Sequence, residues 1–403
     1  MVYKSLLNKL KNQNIVDQKL NNRVLVLASD LSITGGIPRY TKYQIKAIRE
    51  FGCKIYLLTG YKIGDFYEKE DFEEIYTLNL EHSKNFNILH KLKLILNSLI
   101  FVKKFKINMV LVNQIGFAPL AFIIKKFFGV SYITNIYGAE LWTNPKYIEI
   151  KSLKYSDFVI ADSKHTIEYA VKNLGVDEKK IFLIYDPVDL ERFNILSKDS
   201  FEYIYNKYDF LKNKKIILTL SRLDRFKGHE IILDIIDKLG DDTIYIIGGT
   251  GSKEKFLKQI VQEKEVLNKK VFFLGKVGES DLSAVYNMCD IFVLISKREK
   301  FEGEGLPLSL IEASACGKPI LAGNEDGSRE AVIDGENGFI VSPRDNNEVL
   351  EKLKRLLQDD KLRLEMGDKG REVACEFFSY ENFKKQHIEL LDKFFHFQKV
   401  KNG

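Results

Sequence analysis

"DIFVLISKREKFEGEGLPLSLIEASACGKPILAG", residues 290–323, passes from an apolar run (Asp290–Ser296) through a polar loop into a helix candidate, then into a second apolar run (Lys318–Gly323). Both runs are short and nearly continuous in Val, Ile, Leu and Ala rather than alternating, as in parallel strands covered on both faces. The intervening helix is expected to open near Leu306–Pro307, where proline is tolerated in the first turn. Leu310, Ala313 and Ser314 give it a tightly packing face. Strand, helix, parallel strand is the repeating unit of α/β architecture.

The alternation continues in both directions. "KKIILTLS" (214–221), "DTIYIIGG" (242–249) and "VFFLG" (271–275) read as further strands of the second half. In the first half the strands are "RVLVLAS" (23–29), "KIYLLTG" (54–60), "NMVLVNQ" (108–114), "SYITNIYG" (131–138) and "FVIADS" (158–163), with helical stretches between. One of these, "PRYTKYQIKAIREFG", has Pro38 placed to open it and Gly52 to close it. Around Tyr185–Lys215 the pattern lapses into a polar stretch spotted with aromatics, so the domains are expected to span 1–195 and 196–378. Residues 379–403 carry an apolar helical stripe with no strand left to feed, and are expected to pack back toward the N-terminal domain. The expected class is α/β: two doubly wound, Rossmann-like parallel sheets facing across a cleft, with ligand beyond the C-terminal strand ends.

A chain of 403 residues can bury two cores, and 45% hydrophobic with 29% charged residues is ordinary for a soluble globular protein. No apolar run reaches the roughly 18 residues of a spanning helix. The basic start, Met1–Asn14, lacks the apolar core and cleavage site of a secretory signal. Cys53, Cys289, Cys316 and Cys375 lie far apart without CxxC spacing, and read as reduced thiols of a cytosolic protein. The net charge of +6 divides into about +8 on residues 1–200 and about −2 on the remainder. The basic excess gathers in Leu89–Lys106 and Ala121–Gly129, where lysines, Lys103, Lys104, Lys125 and Lys126 among them, interleave with large apolar side chains. Two readings stay open: core helices with solvated lysine faces, or a surface that meets anionic lipid. No nucleic-acid partner is expected, since the charge is modest and no recognition motif is present.

Sites in such folds lie at strand ends. After the first strand, Gly35 and Gly36 either let the backbone approach a ligand beside a helix N-terminus or form a plain tight turn. After "IILTL" comes "SRLDRFKGHE", where Arg222 and Lys227 form either a diphosphate clamp or an ordinary solvated loop. "GGTGSKE" lacks the third glycine of a dinucleotide fingerprint, because Lys253 and Glu254 stand there. Glu304 lies in the loop before the 306–315 helix and Glu312 inside it, among apolar neighbours where a lone carboxylate is costly. Ribose hydroxyls would satisfy it; the alternative is that both glutamates pair with Lys297, Arg298 or Lys300. No strand-end DxD, HExxH, GxSxG or P-loop motif occurs.

Together these residues resemble the retaining GT-B glycosyltransferases of family 4, from about Arg23 to about Phe383. The family's E-x7-E element is matched by Glu304-Gly305-Leu306-Pro307-Leu308-Ser309-Leu310-Ile311-Glu312-Ala313, and its GRL…KG element by "SRLDRFKG", with Ser221 where glycine is often found. "VFFLGKVGESDLSAVYNMCDIFVLIS", "GSREAVIDGENGFIVSP" and "IYDPVDLERF" follow its remaining pattern. The resemblance implies an N-terminal acceptor domain and a C-terminal domain for a UDP- or GDP-linked sugar. Arg222 and Lys227 would hold the diphosphate, with Gly35, Gly36, Gly305 and Leu306 along the donor. Glu312 would hold the ribose and Glu304 the transferred sugar. Catalysis would fall to Glu304, Arg222 and Lys227, with no metal and no cofactor besides the donor. Tyr137 stands where many members carry a histidine, and with Glu140 it would lie on the acceptor side. The implied acceptor is a glycan or lipid-linked molecule of cell-surface polysaccharide or lipopolysaccharide assembly. The implied location is cytoplasmic, peripheral on the inner face of an anionic plasma membrane. A nucleotide-sugar epimerase of the same fold, or a non-catalytic nucleotide-sugar-binding protein, are the alternatives.

Overall fold

The computed structural model describes residues 22–28, 31, 35–64, 67–81 and 86–402. The basic start lies outside them, as do Ser29, Asp30 and Ser32–Thr34. The chain divides into two compact units: Met1–Asp162, Thr166–Ile184 and Phe383–Gly403 form the first, Ser163–His165 and Tyr185–Asn382 the second. The division falls at Ile184/Tyr185 rather than 195/196, because Val188 and Phe193 are buried in the second unit's core with Phe201 and Leu310.

In the first unit, seven strands pair in parallel: β1 (Arg23–Ala28), β2 (Lys54–Tyr61), β3 (Glu74–Leu80), β4 (Met109–Val112), β5 (Ser131–Ile136), β6 (Phe158–Ala161) and β7 (Ile181–Leu183). Their order is β3-β2-β1-β4-β5-β6-β7. The strand direction of growth reverses between β1 and β4, the switch point at which such sheets open a crevice. The second unit repeats the pattern with β8 (Lys215–Leu220), β9 (Thr243–Gly248), β10 (Val271–Gly275), β11 (Ile291–Leu294), β12 (Ile320–Gly323) and β13 (Gly338–Val341), ordered β10-β9-β8-β11-β12-β13. Its switch point is β8/β11, where Ile291 and Phe292 pair with Ile217 and Leu218.

The central strands are buried along almost their whole length, as their unbroken apolar runs require. Three strands escape the sequence reading, β3, β7 and β13, and all three are sheet edges. The helix of residues 308–315 begins at Leu308, with Pro307 outside it as the capping residue.

The last helix, Tyr380–Asn402, belongs to the first unit from Phe383 onward. Phe394 meets Phe158 edge to face at 5.6 Å, and Gln398 Nε2 donates to the Asn108 carbonyl at 2.7 Å. His387 is buried; its Nδ1 bonds the Phe383 carbonyl at 3.0 Å, so Nε2 accepts from Gln44 Nε2, also at 3.0 Å. Gln44 and Asn135 exchange reciprocal amide hydrogen bonds of 3.2 and 2.7 Å. Every polar group of this buried set therefore has a partner, which is what makes its burial tolerable.

Cys53, Cys289 and Cys316 are buried thiols and Cys375 is an exposed one. No helix among the described residues is long and apolar enough to cross a membrane.

Candidate active site

Two loops at the β8/β11 switch point carry the charged residues. After β8 the chain turns through Ser221–Asp224 into a short 3-10 turn, Arg225–Lys227, and the helix His229–Leu233. After β11 it runs through Ile295–Pro307. The Lys227 ammonium donates to Glu304 Oε1, closing an ion pair between the two loops. Both side chains are largely covered, with 9% and 15% of their surface exposed, so the pair is shielded from solvent screening. The Lys227 ammonium also sits 4.9 Å from the Phe226 ring centroid.

Glu304 is held from behind by Asp326. This fully buried carboxylate accepts from the Glu304 amide at 2.9 Å and from the Ser328 amide at 3.0 Å. Burial, aided by the Glu304 charge, pushes Asp326 up to about 6. The Glu304 loop and the turn after β12 meet backbone to backbone: Gly327 donates to the Glu304 carbonyl at 3.2 Å, and a Cβ on Gly327 would lie 1.4 Å from the Gly305 oxygen.

Arg222 is 77% exposed and pairs with Asp224 on its own loop at 3.1 Å. The loop rests on the "GGTG" stretch: Ser221 donates to the Gly248 carbonyl at 3.1 Å and Leu223 to that of Thr250 at 3.0 Å. Gly249 has φ +123°, and a Cβ there would stand 1.9 Å from the Ser221 oxygen, so this glycine run is a platform for the cationic loop.

Beneath the loop lies a directed hydrogen-bond chain. Thr219 Oγ1 donates to the Val293 carbonyl at 2.6 Å and Tyr245 donates to Thr219 at 2.9 Å. His229 Nδ1, 3.0 Å from the Tyr245 oxygen, must then be the donor there, which leaves Nε2 an acceptor 3.2 Å from Ser221 Oγ, whose one proton also faces the Arg222 carbonyl at 3.0 Å. Burial, aided by the Lys227 charge, lowers His229 to about 4, so the ring is neutral at physiological pH.

Glu312 is buried in the helix Leu308–Ala315, where its Oε2 accepts from the Tyr286 hydroxyl at 2.7 Å. Glu304 pairs with Lys227, and Arg298 donates to the Glu302 carbonyl at 3.2 Å. Gly305 is half-buried and Leu306 buried, in the loop that carries Glu304.

In the first unit, Gly36 opens the helix Gly36–Glu50 with Gly35 as an uncapped N-terminal residue, and both are exposed. Tyr137 is turned inward: its hydroxyl accepts from Asn135 Nδ2 at 3.1 Å and its ring meets Tyr40 edge to face at 5.3 Å. Glu140 is half-buried, and its two carboxylate oxygens accept the amides of Tyr137 and Ile115, each at 3.1 Å. Burial outweighs those two bonds and raises it to about 8.

The structure thus brings Lys227 and Glu304 together, keeps Arg222 exposed on the same loop as Lys227, and fastens Glu312 to Tyr286. Asp326, His229 and Tyr286 were not anticipated, because each acts through a partner on a different element; only the buried charge in "GNEDGS" hints at the first. Among the described residues, no group of three or more His, Cys, Asp or Glu side chains is placed to hold a metal ion.

The sequence matches the family described as Glycosyltransferase Family 4 over residues 34–192 and that described as Glycosyl transferases group 1 over residues 200–373. An uncharacterized glycosyltransferase of Methanocaldococcus jannaschii is 26% identical over 89% of this chain and 88% of its own length. N-acetylgalactosamine-N,N'-diacetylbacillosaminyl-diphospho-undecaprenol 4-alpha-N-acetylgalactosaminyltransferase of Campylobacter jejuni is 28% identical over 55% of this chain and 56% of its own. The Anabaena protein HepE, crystallised with UDP, superposes with a TM-score of 0.75 at 18% identity, covering 92% of this chain and all of that one. With two Rossmann-like parallel-sheet units in the GT-B fold and both family patterns spanning them in order, this chain belongs to the group 1, family 4 glycosyltransferases.

Proposed function

We propose that this glycosyltransferase moves a sugar from a UDP- or GDP-linked donor to a glycan or lipid-linked acceptor of cell-surface polysaccharide assembly, with retention at the anomeric carbon and without a metal. The observation that carries the reading is the shielded Lys227–Glu304 pair on the two loops of the β8/β11 switch point. A donor diphosphate arriving beside Lys227 competes for its ammonium, and Arg222, exposed on the same loop, exchanges Asp224 for the phosphates and holds them as a fork. Negative charge then builds on the leaving diphosphate, next to the covered Lys227 ammonium, which is poorly screened by solvent. Removing one such group typically costs about 10²–10³ in turnover. Glu304, released from Lys227, accepts hydroxyl hydrogens from the transferred sugar. Glu312 and Tyr286 together present the ribose contact, with Gly305 and Leu306 lining the donor. The departing phosphate takes the acceptor's proton. Tyr137 and Glu140, both engaged by neighbouring groups, shape the acceptor side from behind.

The UDP in HepE and the diphospho-undecaprenol in the Campylobacter relative's name support the donor and acceptor classes. A thermal-shift screen of UDP, GDP and their sugars tests the reading. A ligand at 100 times its Kd adds about 2.7 kcal/mol of stability, a rise of a few degrees. The rise should be lost in Lys227→Ala and retained in Glu304→Gln, whose turnover falls instead. The clamp is wrong if Lys227→Ala responds to the same nucleotide as fully as wild type. NMR of the product's anomeric proton decides retention.

A further inference from the structure

Two carboxylates share one cation where the loops after β8 and β11 meet. Glu304 takes the Lys227 ammonium, and Asp326 stands behind Glu304, accepting its backbone amide at 2.9 Å. Asp326 is fully buried, whereas Glu304 keeps 15% of its side chain exposed. Two acids thus face one base in a place where water screens little.

The other charged groups around the turn that carries Asp326 look elsewhere. Glu325 takes the Arg344 guanidinium at 2.7 Å and the Arg298 amide at 3.0 Å. Glu330 takes the Tyr185 hydroxyl at 3.1 Å and the amides of Lys164 and His165, each at 2.8 Å. Glu312, on the helix packed against the turn, takes the Tyr286 hydroxyl. Two half-buried cations, Lys297 on the Glu304 loop and Arg329 on the turn itself, complete the set. Of the charges around Asp326, that of Glu304 acts on it most strongly.

A donor diphosphate draws the Lys227 ammonium to itself, and the two carboxylates are then left to each other. Two such groups sharing a site do not both stay ionised. The more deeply buried one takes the proton, because burial penalises its charge more. With Lys227 still in place, burial and the Glu304 charge already bring Asp326 to about 6. A protonated carboxyl keeps acceptor capacity, so the amides of Glu304 and Ser328 stay bonded and the loop holds its position.

We propose that Asp326 takes up a proton as a sugar nucleotide binds, and that this proton lets Glu304 stay charged and aimed at the sugar after Lys227 has turned to the phosphates. Asp326 is a positioning residue, acting through Glu304. This rests on Lys227 being the phosphate contact. Because binding consumes a proton, donor affinity should fall roughly twofold to fivefold between pH 7 and pH 8.

Isothermal titration calorimetry of the full chain with UDP-glucose and with GDP-mannose, at pH 7 in PIPES, HEPES and imidazole, counts the protons. Neither probe carries a phosphate that titrates near that pH, and the slope of observed enthalpy against buffer ionisation enthalpy is the uptake. Wild type should take up roughly half a proton or more per nucleotide bound. Asp326→Asn should take up almost none. So should Glu304→Gln, which leaves Asp326 without a like charge to answer, and which decides the matter where the first variant does not fold. A carboxylate that only braced the loop would alter affinity in these variants with no proton count to lose. Binding by wild type without uptake, or uptake in either variant equal to wild type, overturns the inference and leaves the donor assignment intact. Binding of neither nucleotide by wild type overturns the donor assignment itself, and the inference with it.

Discussion

Lys227 and Glu304 stabilise each other only while both are present. Taking the lysine away leaves a covered carboxylate beside Asp326, itself already pushed toward the protonated form. Breaking one side of a buried pair costs about 3–5 kcal/mol, most of it the penalty on the orphaned charge. Lys227→Ala is therefore expected to lose about 3 kcal/mol in urea unfolding, and Lys227→Ala/Glu304→Gln to recover about 2 kcal/mol of it. Strictly additive losses would mean that the pair contributes nothing beyond its parts. At this scale the sequence exposes the charged partners and hides what orients them. Lys227 and Glu304 stand in recognisable local patterns. Asp326 reaches Glu304 from the turn after β12, and His229 reaches Tyr245 across the sheet, and neither distance in the chain leaves a local trace.

Elements carry these residues into place through backbone contact. The closest approach is Gly327 under Gly305, where a methyl group would meet a carbonyl oxygen that belongs to the Glu304 loop itself. Gly327→Ala must push that loop away and shift Glu304, with an expected stability loss of about 2 kcal/mol and a diminished nucleotide thermal shift. Gly116→Ala is the matched control: nothing lies within 4 Å of its Cβ, so it should fall within about 0.5 kcal/mol of wild type. A Gly327→Ala protein indistinguishable from Gly116→Ala would show that the loops do not need this contact. The legibility of elements follows their burial. Central strands such as β1 and β9 are covered on both faces and announce themselves as unbroken apolar runs. The edges do not: β3 alternates because it is only partly covered, β7 is three residues long, and β13 begins with glycine. The helix Ile88–Phe105 misleads in another way: Leu94 and Phe101 are buried and Leu92 and Leu96 exposed, and composition alone cannot tell these two apolar faces apart.

At the scale of the whole molecule, each unit holds one buried neutral histidine among the described residues, His229 in the second and His387 in the first, both lowered to about 4 chiefly by burial. An unfolded chain protonates histidine near 6.5. Between pH 6.5 and 4 the unfolded state therefore binds a proton that the folded state refuses, so the contribution is fully present above 6.5 and is lost as the pH falls through that window. Raised carboxyls act in the opposite sense: Asp326 and Glu140 favour the folded state while protonated, and that advantage disappears as the pH rises through about 6 and about 8. The opposing slopes mask each other in wild type, but they cancel when a variant lacking only the histidine is subtracted from it. His387→Gln provides that subtraction for the first unit, and Trp142, the chain's single tryptophan, is buried in the same unit and reports its unfolding by fluorescence. The stability difference, wild type minus His387→Gln, should climb by about 1.4 kcal/mol per pH unit from 4 to 6.5 and then level off. His229→Gln followed by far-UV circular dichroism should give the same profile for the second unit. A difference that stays flat from pH 4 to 8 would mean that the imidazole takes its proton in the folded protein as readily as in the unfolded chain, and that the Gln44–His387–Phe383 chain tolerates a charged ring.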